Sequence, residues 1–169
     1  VYYGKNFTFK APASADGTKV FGGWYSAPNG AGVQYTDEKG YGLTKWTVVV
    51  DEERGMTLYA GWLSVVTYEL DGSGNAYRAF AGPGISYVSS VKVSETFNGK
   101  PVTTIESFAG ARIVSIQIPD TVTIIADGAK TGLYASGAFQ GCSALREISI
   151  YETGHAVTPK YASDSGALY

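Results

Sequence analysis

The stretch GAFQGCSALREISI, residues 137–150, joins a Gly-Cys pair to an alternating aliphatic tail of Leu145, Ile148 and Ile150. Two readings compete for it: a reactive Cys142 held on a strand, or one rung of a repeated ladder. Working outward from the aliphatic positions favours the ladder. Val88, Val91 and Val93 share their spacing with Ile113, Ile116 and Ile118, and again with Leu145, Ile148 and Ile150. In each triplet the second apolar residue follows three positions after the first and the third two positions later. Strict alternation at 116–118 and 148–150 suits short strands with one face buried, stacked in parallel.

Other positions recur with the triplets. Val102 and Ile105 in PVTTI match Val122 and Ile125 in TVTII, and Phe108 in SFAG matches Phe139 in AFQG. The two phenylalanines are expected to fill the space between strand and outer wall. A threonine follows each triplet three residues on, at Thr96, Thr121 and Thr153. A hydroxyl there can bond backbone groups that a turn leaves unpaired. The second triplet members lie 25 residues apart between Val91 and Ile116, and 32 apart between Ile116 and Ile148. The Gly- and Ala-rich segment 126–136, ADGAKTGLYAS, reads as an insertion that accounts for the longer interval. The tail TPKYASDSGALY, 158–169, reads as the opening of a further coil that is cut off.

The stretch from FNGKPVTTIESFAG through ARIVSIQIPDTVTII to GAFQGCSALREISI resembles the BspA-type leucine-rich repeats of bacterial surface proteins. The resemblance rests on a V-x-x-I pair, an AF-x-GC-x-x-L segment and an I-x-I-P strand end, and it covers about residues 88–169. Three departures stand out: the insertion, Tyr151 where proline follows Ile118, and SFAG without the Gly-Cys pair. The resemblance implies a solenoid of short parallel strands, in which each coil needs neighbours to bury its faces. In that setting Cys142 is a small apolar residue at a coil turn. A catalytic or metal-binding thiol would need a base or further ligands, and the only histidine is His155.

Upstream the pattern changes. FGGWYSAPNGAGVQY, 21–35, and TVVVDEERGMTLYAGW, 47–62, read as strands broken by turns at Pro28-Asn29-Gly30 and Glu53-Arg54-Gly55. TKWTVVV, 44–50, and MTLYAGW, 56–62, alternate well enough to form a hairpin or adjacent strands. Trp24, Tyr25, Tyr59 and Trp62 are the expected core. Through F-x-GWY, G-x-x-Y and a terminal TLYAGW, residues 7–62 resemble the internalin B-repeat, or Listeria-Bacteroides repeat, which implies a small β-grasp-like module. The expected organisation is therefore a β module over 1–63 and a C-terminally truncated leucine-rich-repeat solenoid over 64–169. VVTYELDGSGNAYRAFAG, 65–82, with DGSGN as its turn, is the core of an N-terminal capping hairpin assigned to 64–87. The fold class expected is mainly β.

Composition agrees with strands and turns: 22 Gly, 13 Tyr, 7 Phe and 3 Trp stand against a single Met. A net charge of -2 supplies no basic field for phosphates, so nucleic acid is not an expected partner. No apolar run reaches the roughly 20 residues that span a bilayer, so no membrane insertion is expected here. The opening VYYGKNFTF has no signal-peptide pattern, and the chain reads as part of something larger. One cysteine forms no internal disulfide, which fits the cytoplasm or a bacterial surface protein.

No catalytic, cofactor-binding or metal-ligating set emerges. Asp71, Ser73 and Asn75 begin like a calcium loop, but the twelfth position is Gly82, which offers no carboxylate. Asp51, Glu52 and Glu53 read as a solvated acidic run, His155 lacks a nucleophile elbow, and Asn6-Phe7-Thr8 is a bare glycosylation triplet. The resemblances imply a non-enzymatic, monomeric, extracellular fragment, on the cell surface or secreted, that binds a host or matrix protein through its repeat face. Alternation places Ser115, Gln117, Glu147 and Ser149 on that face. The alternatives are a glycan-binding accessory module using Tyr35, Tyr41 and Trp46, or a passive spacer.

Overall fold

The computed structural model describes residues 3–48, 55–126, 137–154, 163–164 and 167–168, and its architecture is mainly β. The strands are β1 (Lys19–Tyr25), β2 (Tyr59–Ser64), β3 (Val66–Leu70), β4 (Tyr77–Ala81), β5 (Ser90–Lys92) and β6 (Thr96–Phe97). They continue with β7 (Lys100–Ile105), β8 (Ser115–Pro119), β9 (Ile124–Ile125), β10 (Glu147–Tyr151), β11 (Ser163–Asp164) and β12 (Ala167–Leu168). The chain divides into two compact units, Val1–Ser64 and Val65–Tyr169.

In the first unit β1 pairs antiparallel with β2, with a bulge between Phe21 and Gly23. Over the described residues 44–48 this corrects the expected pairing of TKWTVVV with MTLYAGW. Residues 44–48 lie in no strand, and Val49 and Val50 fall outside the described residues. The reason is where the backbone of Trp46 spends its hydrogen bonds: its N–H donates to Lys5 O at 2.9 Å and its carbonyl accepts from Gly4 N at 2.6 Å. That leaves β2 to β1, whose approach depends on glycine. A Cβ on Gly61 would stand 2.3 Å from the Tyr25 ring, and one on Gly22 2.8 Å from Leu63. Gly23 has φ +132 and a Cβ there would lie 2.3 Å from Thr36 O, so the bulge accepts only glycine.

The core of this unit also differs from expectation. Phe21 and Trp46 are buried, whereas Tyr59 and Trp62 are each more than a third exposed. Trp46 meets Phe7, Phe9 and Tyr35 at centroid distances of 5.0, 5.8 and 5.6 Å. Fully buried Thr36 is satisfied twice over, its hydroxyl accepting from Trp24 N and donating to Asp37 O.

The second unit opens with the antiparallel hairpin of β3 and β4. β4 then pairs parallel with β7, which also pairs antiparallel with β6 and parallel with β9. The match of PVTTI to TVTII appears here as pairing, with Ile105 opposite Ile125. A separate three-stranded parallel sheet runs β10-β8-β5. In it Val91 lies opposite Ile116 and Ile116 opposite Ile148, with Ile118 opposite Ile150. The spacing read from the sequence is thus the register of the sheet.

Both sheets supply apolar side chains to the core. Val93, Val102, Ile105, Phe108, Ile113, Ile116 and Ile118 are wholly buried, each aliphatic contributing roughly 1.5–3 kcal/mol against exposure. Leu145, Ile148 and Ile150 on the third rung are only partly covered. The SFAG and AFQG segments are laced together by Phe108 N to Ala138 O at 2.7 Å and Gly110 N to Gln140 O at 2.8 Å, with their rings 6.1 Å apart. Ala138 N also donates to Ala126 O at 2.7 Å, so the segment read as an insertion leaves and rejoins at one hydrogen-bonded point. Residues 127–136 and most of the tail from 155 onward, His155 among them, lie outside the described residues.

Candidate functional site

The outward face of β5, β8 and β10 is built by the alternation that buries Val91, Ile116 and Ile118. Residues on either side of each rung point away, and the parallel register lines them up in two rows. One row holds Ser90, Ser115 and Glu147; the other holds Lys92, Gln117 and Ser149. Lys92, Gln117 and Glu147 are exposed, and Ser115 and Ser149 half-exposed. Ser115 Oγ donates to Ser90 Oγ at 2.9 Å, joining two strands through side chains. The four residues expected on this face, Ser115, Gln117, Glu147 and Ser149, are therefore together. Ser90 and Lys92 complete it from a strand that the sequence reading placed only through its aliphatic residues.

One flanking residue was noted in the sequence only as a departure from the repeat, with no role given to it. Tyr151 lies opposite Pro119 on the neighbouring strand, and its hydroxyl reaches past β8 to donate to Val93 O at 2.7 Å. Lys92 Nζ sits 4.2 Å from the centre of the Tyr151 ring. Burial, and then the negative charge of Glu95, push the Tyr151 phenol up to about 12 from an ordinary 10.0. The fold thus favours the neutral phenol, the form that donates to Val93 O and ties the ring across the rungs. The only signal in the sequence was the replacement of proline by tyrosine.

The threonines behave differently from one another. Thr121 donates to Val102 O at 2.9 Å, the backbone bond expected of a turn hydroxyl. Thr153 instead donates to the buried carboxylate of Asp120 at 2.6 Å, which also accepts the Thr153 N–H. The acidic residue before each threonine, Glu95, Asp120 and Glu152, was the readable clue. Half-buried Cys142 occupies the turn after Phe139, where its thiol donates to Phe108 O at 3.0 Å and so joins the lacing between segments.

The remaining candidates separate. In DGSGN, Asp71 accepts from the Ser73 hydroxyl at 2.8 Å and from the Ser73 and Asn75 N–H groups, a self-contained turn. The Ser73 hydroxyl holds the Asp71 carboxyl below the usual range. Of the aromatic set, Tyr41 is 57% exposed and Tyr35 half-buried, but Trp46 is 5% exposed. No row of open rings remains, because Trp46 is the centre of the first unit's aromatic cluster. Asn6 and Thr8 are exposed, while Asp51, Glu52 and Glu53 lie outside the described residues. Among the described residues there is no group of three or more His, Cys, Asp or Glu placed to hold a metal ion. Nor, among them, is any helix long and apolar enough to cross a membrane. Comparison with known proteins finds no matching family model, no matching curated protein and no matching solved structure.

Proposed function

We propose that the chain is a non-enzymatic, ligand-binding piece of a bacterial cell-surface or secreted protein. On this reading, residues 88 onward are coils of a BspA-type leucine-rich-repeat solenoid, and the outward strip of β5, β8 and β10 is the adhesive face. The first unit is a β-grasp-like module of the internalin B-repeat kind that presents it. The observation that carries the reading is the alignment of Val91, Ile116 and Ile148 in one parallel sheet. Regular stacking of a sequence repeat turns the residues beside each rung into rows, which is how repeat proteins make extended recognition surfaces. Fold alone does not assign a function, so the strip itself must be tested.

The test is binding of the whole chain, by surface plasmon resonance, to purified extracellular-matrix proteins and to a glycan array. Gln117→Arg and Glu147→Arg are each expected to weaken whichever interaction is found by about tenfold, or about 1.4 kcal/mol, without moving the melting temperature. Binding that survives both substitutions would place adhesion elsewhere on the molecule. A wild-type chain that captures nothing supports a spacer instead.

A further inference from the structure

We infer that Lys92, Gln117 and Ser149, together with the Tyr151 ring, form a subsite for an acidic sugar whose carboxylate pairs with the Lys92 ammonium. The inference rests on the ligand-binding reading of the same face and names the ligand class that this face fits.

Three observations lead there. First, the three residues stand in one row in register across β5, β8 and β10, about 4.8 Å from strand to strand. They offer an ammonium, a carboxamide and a hydroxyl in sequence. Second, the cation is held in place and has charge to spare. Lys92 Nζ rests 4.2 Å from the Tyr151 ring centre, that ring is anchored by its hydrogen bond to Val93 O, and the ion pairs recorded among the described residues are those of Arg78, not Lys92. A lysine already ordered over an aromatic ring loses less rotamer freedom when it meets an anion. Third, beyond the Tyr151 ring the strip's six residues offer no apolar anchor. Ser90, Lys92, Ser115, Gln117, Glu147 and Ser149 carry between them no aliphatic or aromatic side chain, whereas protein interfaces concentrate their energy in buried aromatic and apolar anchors.

A polyhydroxylated ligand needs no such anchor. Its hydroxyls are matched by the amide of Gln117 and the hydroxyl of Ser149, and the ring of Tyr151 borders them. The charges also orient it. Glu147 lies in the neighbouring row at the β10 edge, and Glu95 and Asp120 act on Tyr151. Glu95 and Asp120 disfavour an anion beside Tyr151, so the ligand carboxylate must pair directly with the Lys92 ammonium, while Glu147 accepts sugar hydroxyls at the other end.

Titration of the full chain by calorimetry with oligogalacturonate, its methyl ester, sialyllactose and lactose tests this. Binding of galacturonate or sialate supports the subsite and identifies the source, provided that the ester and lactose bind at least about tenfold more weakly. Lys92→Gln is expected to remove about tenfold or more of the acid-sugar affinity, and Lys92→Arg to keep most of it. Tyr151→Phe, which keeps the ring and loses its tether, should weaken binding only a few-fold. Equal affinity for acid and ester, or undiminished binding by a folded Lys92→Gln chain, overturns the inference. Matrix-protein binding lost through Gln117→Arg, with no acid sugar bound, overturns it while leaving the proposed function standing. Failure of both binding experiments removes both.

Discussion

Tyr151 shows how much one side chain adds to a repeat. At this position the preceding rung carries Pro119, which has no donor to offer; tyrosine instead sends a hydroxyl across the intervening strand to Val93 O. Replacing Tyr151 by Phe keeps the packing and removes that bond, at an expected cost of about 0.5–1.5 kcal/mol in denaturant unfolding. The pH dependence has a definite sign. Because the folded-state phenol is pushed up to about 12, from 10.0 when free, folding favours its neutral form. The corresponding stability is complete below pH 10 and is lost as pH rises from 10 toward about 12. Stability measured against pH should therefore fall less steeply in that window for Tyr151→Phe than for the wild type. Parallel curves for the two proteins between pH 9 and 12 would contradict the assignment.

At the scale of elements, the parallel sheet was legible in the sequence because it is made by a period. Alternating aliphatics at 116–118 and 148–150 leave one workable register, since a one-residue slip would turn every isoleucine to solvent. Burial then grades the rungs. Ile116 is fully buried in the central strand and Ile148 only partly so at the sheet edge. Ile116→Ala is expected to cost about 2–5 kcal/mol, and Ile148→Ala clearly less. Equal losses in urea titrations would mean that β10 is as well covered as β8. What remained illegible has no period. The pairing of β1 with β2 depends on Gly22, Gly23 and Gly61 clearing space for Leu63, Thr36 and Tyr25, contacts between residues far apart in the chain. The inward turn of Trp46 depends on Gly4 and Lys5 taking up its backbone groups. Propensity reads TKWTVVV as a strand, and over residues 44–48 tertiary hydrogen bonding overrides it. The roles of Tyr151 and Asp120 escaped notice for the same reason: their partners, Val93 and Thr153, become neighbours only when rungs stack.

For the whole molecule, the division at Ser64 and Val65 makes a prediction about cooperativity. Gly23→Ala forces a Cβ into a backbone carbonyl at a positive φ, a strain of about 1–3 kcal/mol or more. It should lower the melting temperature of the 1–64 unit and leave that of 65–169 unchanged, which calorimetry of the whole chain and of each unit alone would resolve. A single transition displaced as one by Gly23→Ala would show the units to be thermodynamically joined. The unequal intervals between rungs have their own consequence. Seven more residues separate Ile116 from Ile148 than Val91 from Ile116, yet the strands stay in phase, because the extra chain departs and returns at the bond between Ala138 N and Ala126 O. Doubling a detour closed in this way costs only about 0.6 kcal/mol of chain entropy. That junction is a natural grafting point, where foreign peptide could be spliced in with the Ala126–Ala138 closure kept.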